Sequence, residues 1–339
     1  MAVAHALFRC GFPYVKSLGM RRVTSGVVDV APAADNLVYV LVRADAGIGG
    51  CCVRILNWDD EDLGTIGSTG TGDGNFQWPT KLVLDRDQNL IIADEALNRI
   101  TVMGKDGSFI SKWGEYGSEK GQMNRPSGIA LDGQENILVV DSNNHRVQKF
   151  TKDGEYITSW GEYGPDEGQF DLPWGIAVGD DGDVFVSDWR NNRIQQFTAE
   201  GEFVKQFGFS PGDDSCLSRP AGVAVDEDGD IYVADRKNNR VVIFDPQGRY
   251  VQELLGDSQI MGMARQYVRT NPVVLRLREM TRLDEQKLFL FPVSVTEASG
   301  MLCVGDYGSH RVQVYKKNAE RLEPQELEAP RNSPKLIIN

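Results

Sequence analysis

Residues 126–161 read PSGIALDGQENILVVDSNNHRVQKFTKDGEYITSWG and hold four short apolar runs. Gly128 to Leu131 is the first, Ile137 to Val140 the second, Arg146 to Phe150 the third and Tyr156 to Trp160 the fourth. Each is rich in Val, Ile, Phe or Tyr, the side chains that suit a pleated, half-buried surface. Asp132-Gly133, Ser142-Asn143-Asn144 and Asp153-Gly154 separate them. Such pairs tolerate positive φ and close tight hairpins. Four antiparallel strands of this length describe one blade of a β-propeller.

The same paragraph recurs. Pro79, Pro126, Pro173 and Pro220 stand 47 residues apart, as do Asp94, Asp141, Asp188 and Asp235, and Arg99, Arg146, Arg193 and Arg240. A fixed period of this length marks a repeat architecture, in which one unit cannot bury its apolar face without its neighbours. A fifth copy begins at Pro292, with Asp306 and Arg311 at the usual spacing. A degenerate copy lies upstream, with strands at Ser25–Ala31, Leu37–Val42, Val53–Leu56 and Leu63–Ile66 and with Arg54 in the place of Arg99. Six units make a six-bladed, all-β propeller. An open ring would leave edge strands as templates for aggregation. Residues 14–19 match the fourth strands in pattern, so they are expected to pair with residues 311–316 and close the ring. One propeller spanning 1–323 and a tail over 324–339 follow.

The pattern Pro-x-Gly-Ile/Val-Ala-Val/Leu, then Val-x-Asp-x-x-Asn-x-Arg-Ile/Val-x-x-Phe, resembles the NHL repeat. Copies at 126–150, 173–197 and 220–244 match closely, those at 79 and 292 with substitutions, and the one near 26 weakly. The resemblance implies the fold. It leaves function open, because this family includes a peptidyl-hydroxyglycine amidating lyase, RNA- and protein-binding domains of animal tripartite-motif proteins, and bacterial sensors. Related six-bladed rings include metal-dependent lactonases and strictosidine-synthase-like enzymes.

Composition narrows the choice. The formal net charge is −13, from 49 acidic and 36 basic residues. A nucleic-acid backbone needs clustered Lys and Arg, so it is not the expected partner. Five cysteines, at 10, 51, 52, 216 and 303, form no CxxC pair and read as reduced thiols of a cytoplasmic protein. No apolar run approaches membrane-spanning length, and no membrane partner is expected. A monomer is expected.

Function should reside where the copies differ. From Pro220 to Pro292 is 72 residues, so 25 have been added within 256–290, a partly helical insertion expected over or beside the channel mouth as a lid. The Gly-rich loop Arg43 to Cys52 replaces the usual turn but lacks the Lys-Ser/Thr of a phosphate loop. Before each Pro stand Trp78, Arg125, Leu172, Arg219 and Phe291; after it stand Thr80, Ser127, Trp174, Ala221 and Val293. After each Asp come Glu95, Ser142, Trp189, Arg236 and Tyr307. From these sets Arg125, Trp174, Trp189, Arg219, Arg236 and Tyr307 are the expected ligand-binding residues: aromatics for stacking, and arginines as forked donors to an anion.

Catalytic candidates are weaker. An Asp and an Arg repeated in five blades serve the repeat, since an active site is built once. The amidating lyase holds zinc with several channel histidines. Here only His145 and His310 reach the mouth, in opposite blades and too far apart to share one ion. No metal or cofactor is expected, and no catalytic residue is nominated. Asp180–Asp183 and Asp226–Asp230 resemble calcium loops but lack a distal Glu, and are expected as solvated turns. The leading expectation is an intracellular binding propeller, a scaffold or sensor for a protein, a peptide or a small anionic ligand. The alternative is a lyase or hydrolase acting at the channel mouth.

Overall fold

In the computed structural model, residues 6–19, 23–44, 50–209, 212–259, 269–273, 276 and 285–322 are described. Six four-stranded antiparallel sheets form the ring. Blade one runs Val27–Pro32, Leu37–Arg43, Cys51–Asn57 and Asp62–Ile66. Blades two to five follow the repeat, with innermost strands at Pro79–Leu84, Pro126–Leu131, Pro173–Val178 and Pro220–Val225. Blade six takes Pro292–Ala298, Met301–Asp306 and Arg311–Lys316 from late in the chain. Its outermost strand is Tyr14–Leu18, with Leu18 opposite Val312 and Tyr14 opposite Tyr315. A separate two-stranded ribbon pairs Ala6–Gly11 with Asn318–Leu322. The helical, lid-like character expected of 256–290 falls largely on residues outside the described ones, and so does the tail.

The core lies between blades. Residues of adjacent units, such as Leu41 and Val53 with Leu90 and Ile92, share one buried cluster. At the inner end of the third strands Met103, Phe150, Phe197 and Phe244 are all almost wholly buried. The links between blades are pinned by Phe76, Met123, Phe170 and Leu217, also buried and also 47 residues apart. Removing such an aromatic side chain costs about 3–5 kcal/mol.

Two repeated devices fix each blade to the next. The Asp at the end of the second strand accepts a backbone N–H from the preceding link: Asp141 from Asn124 at 2.6 Å, Asp188 from Asp171 at 2.8 Å and Asp235 from Ser218 at 2.7 Å. In blades three to six the paired Arg bonds that Asp and carbonyls of the same link, as Arg146 does with Asp141, Glu119 and Gln122; in blade two Arg99 bonds the link carbonyls alone. The second device uses a left-handed residue in the turn. Asn98, Asn192 and Asn239 accept the N–H of Arg125, Arg219 and Phe291 at 2.8–2.9 Å. His145 and His310 do the same through Nδ1, for Leu172 at 3.2 Å and Gly26 at 3.0 Å.

The degenerate first blade departs from the sequence alignment. Arg54 is opposite Val40 and Val53 opposite Ile66, whereas Gln148 is opposite Val139 and Val147 opposite Trp160. Arg54 therefore stands where Gln148 does, and Cys52, not Arg54, takes the position of the repeated Arg. By the same register Arg43 occupies the position of Ser142 in blade three.

Candidate functional site: the channel mouth

The innermost strands crowd the ring axis. A Cβ added at Gly128 would lie 2.5 Å from the Trp174 carbonyl oxygen, and one at Gly175 2.3 Å from that of Ala221. Glycine is required there because neighbouring backbones pass too closely for any side chain. The space left among Thr80, Lys81, Ser127, Trp174 and Val223 is about 10 Å³, room for one water. Near the axis Lys81 is committed to the buried Asp29 at 3.0 Å. A ligand larger than a water molecule does not fit at this level of the axis.

At the mouth the copies diverge. At the mouth end of the second strands stand Arg43, the last residue of its strand, and Glu95, Ser142, Trp189, Arg236 and Tyr307, each one residue past its own, one from each blade. In blades one and two the backbone N–H at this position donates to the preceding link, Arg43 to Gly26 O at 2.8 Å and Glu95 to Trp78 O at 3.1 Å; in blades three to six the next residue does so, as Asn143 does to Asn124 O at 3.1 Å. A second set precedes the innermost strands. Arg125, Leu172, Arg219 and Phe291 adopt φ of 49–59° there, with Gly26 in blade one at 64°. Left-handed φ is costly for side chains other than Gly and Asn, and the Asn and His acceptors described above hold it.

The six expected residues divide into groups. Arg125 donates to the buried Glu95 at 3.0 Å, so its charge is answered. Trp174 and Trp189, both from blade four, lie with ring centroids 6.5 Å apart. Arg219 sits over the Trp189 ring at 4.7 Å and Arg236 over Phe291 at 5.4 Å. Arg43 was not among the expected residues. It lies over Trp78 at 4.5 Å and beside the Tyr307 ring at 6.0 Å. The loop after it breaks the Asp-x-x-Asn-x-Arg spacing, so no period pointed to it; its place as the first residue of that irregular loop was the available signal.

Arg43, Arg236 and Arg219 form a cationic arc along one side of the mouth. Burial lowers the Arg236 pKa, and the positive charges of Arg43 and Arg219 lower it further, against a raising contribution from Tyr307. Among the described residues none of the three side chains has a carboxylate within ion-pair distance or a hydrogen-bond acceptor. The Arg43 Nη1 is buried without a partner. Beside it opens a cavity of about 260 Å³, lined by Ser25, Arg43, Cys51, Trp78, Tyr307 and His310. The Cys51 thiol is pushed up by burial and then by the Asp94 charge, and is held as a weak donor to Gln77 O at 3.4 Å. It is not poised as a thiolate.

On the opposite face the 226–230 turn is not solvated, contrary to the expectation from its sequence. Lys317 inserts its ammonium among Asp226, Asp228 and Asp230 at 2.5, 2.8 and 2.9 Å. Arg9 also pairs with Asp230, and Tyr232 donates to Asp226 at 2.7 Å. Asp226 and Asp230 are buried. The Lys317 ammonium holds the place a cation would take.

The ring, its braces and its period define a class: the chain is an NHL-repeat β-propeller, with NHL repeats matched at residues 123–150, 170–197 and 217–244. Its likenesses to particular proteins are partial. Over 48 residues it is 42% identical to protein lin-41 of Caenorhabditis elegans, a match covering 14% of this chain and 4% of that protein. Among solved structures it resembles a catalytically inactive virginiamycin B lyase of Staphylococcus aureus with quinupristin, at TM-score 0.56 and 15% identity, over 93% of this chain and 88% of that one. A Bacteroides thetaiotaomicron protein of unknown function gives TM-score 0.62 at 18% identity, over 94% and 77%. At such identities the likeness is one of fold.

Proposed function

We propose that this propeller is a binding protein whose ligand rests on the channel mouth, with a flat group against Trp174 and Trp189 and an anionic group toward Arg219, Arg236 and Tyr307. Three arginines lying over aromatic rings and, among the described residues, without acidic partners, in a chain of net charge −13, carry the reading. Isolated cations on an acidic protein select a small anion or a peptide terminus over a polyanion. The closed axis leaves the mouth as the place where a ligand can lie. A binder is favoured over a lyase or hydrolase because the mouth's candidate bases are in structural use. Glu95 is paired with Arg125, and both imidazoles accept amides through Nδ1. The lyase-like neighbours support the ring alone.

Titrating an aromatic carboxylate such as benzoate while following tryptophan fluorescence tests this. Trp174→Ala and Arg219→Ala should each weaken binding about tenfold, as expected for loss of one stacking or charge-assisted contact. Their melting temperatures should stay within a few degrees of the parent chain. Unchanged affinity in both variants would sink the assignment.

A further inference from the structure

We infer that the cationic arc Arg43–Arg236–Arg219 is a seat for a doubly charged oxyanion, of the phosphate-monoester class. The inference rests on the reading of the mouth as the ligand site and adds what the ligand must carry.

Charge count is the first argument. Three guanidiniums lie close enough for two of them to act on the third, with no carboxylate answering them among the described residues. Several other buried or part-buried cations are paired with carboxylates: Lys81 with Asp29, Arg193 with Asp188, and Lys317 with three aspartates, while Arg99 spends its donors on backbone carbonyls. Like charges gathered without a counter-charge raise the free energy of the empty state. An anion that enters the arc gains what the protein itself has withheld. A carboxylate offers one charge to three cations. A phosphate monoester offers two charges and three acceptor oxygens, enough for one oxygen to meet each fork.

Donor geometry is the second argument. Contact with the rings of Trp78, Phe291 and Trp189 holds the three guanidiniums in place, so less side-chain freedom is lost on binding. The Arg43 Nη1 is a buried donor with no acceptor, a state that costs free energy until an oxygen arrives. The adjoining cavity of about 260 Å³ has space for a compact head group. The ester substituent would then run toward Trp189 and Trp174, where a ring finds a face. Thus Arg43, absent from the periodic pattern, becomes the specificity-determining residue.

The experiment compares two ligands on the full chain at pH 8 and constant ionic strength, where a phosphate monoester with a second pKa of about 6 is dianionic. Phenyl phosphate and benzoate are titrated separately, by tryptophan fluorescence and by calorimetry. Phenyl phosphate should bind about tenfold or more tightly than benzoate, the equivalent of one added charge-assisted hydrogen bond. Arg43→Gln and Arg236→Gln should each reduce that ratio to about threefold or less, acting mainly on phenyl phosphate. Equal affinities, or a ratio that survives both substitutions, would overturn the dianion seat while leaving a ligand site at the mouth standing. Failure of both ligands to bind at millimolar concentration would overturn the seat and the ligand site together.

Discussion

Two faces of one ring treat positive charge in opposite ways. On the hairpin face the Lys317 ammonium has three carboxylates within 2.9 Å and is nearly enclosed. On the mouth face Arg43, Arg219 and Arg236 have aromatic rings for company and, among the described residues, no carboxylate. A buried charge must be paired, or the group neutralises or the fold suffers. The hairpin face obeys this rule to hold the termini against blade five. The mouth relaxes it at side chains that are half-buried, as Arg43 and Arg236 are, or exposed, as Arg219 is. The contrast separates charges that build the ring from charges left for something outside it.

The contrast can be broken most forcefully at Lys317. Lys317→Met leaves the buried Asp226 without its cation and Asp230 with Arg9 alone, and should lower unfolding free energy by about 3 kcal/mol, read by chemical denaturation. A loss below about 1 kcal/mol would show the cluster to be solvent-screened like a surface pair. The mouth should respond with the other sign. Arg236→Gln removes one of three mutually repelling charges, so the ligand-free melting temperature should rise by about 1–2 °C. A fall of several degrees would mean that Arg236 builds the ring after all. The smallest effect concerns a hairpin turn. Burial works to raise the Asp132 pKa, but bonds from Lys149, Asn136 and the turn's N–H groups outweigh it and hold the carboxyl below its ordinary value. Its stabilisation is therefore present above the ordinary carboxylate pKa of about 4 and lost as pH falls through the lower, folded value. Asp132→Asn should flatten the loss of stability between neutral and acid pH, and an unaltered slope would contradict the assignment.

Much of this architecture was legible because the repeat is written at a constant spacing. Phe150, Phe197 and Phe244 announce the same buried position three times, and Asp141, Asp188 and Asp235 the same brace. Reading failed where the chain leaves the period. In blade one the Gly-rich loop after Arg43 carries no Asp or Arg at the expected offset, so Arg54 was aligned two residues away from its true register and Arg43 was passed over. The Lys317 cluster was invisible for another reason. Its members are 87 to 91 residues apart, and nothing in the local pattern of Asp226–Asp230 distinguishes a turn facing water from one facing a lysine brought by ring closure. The mouth aromatics and arginines could be nominated by position. Which of them are paired, as Arg125 is with Glu95, depends on side chains from neighbouring blades meeting in space.

The ribbon formed by Ala6–Gly11 and Asn318–Leu322 sets Ala6 directly opposite Leu322. The described chain therefore comes into the ring and leaves it through one doorway, its first and last described strands side by side. A body with such a doorway can be spliced into a surface loop of another protein without being pulled open. Its starting point can also be moved to an exposed hairpin such as Asp153-Gly154, with a short bridge joining the former ends. In engineering terms the propeller is a cartridge: both of its leads, the first and last described strands, emerge together.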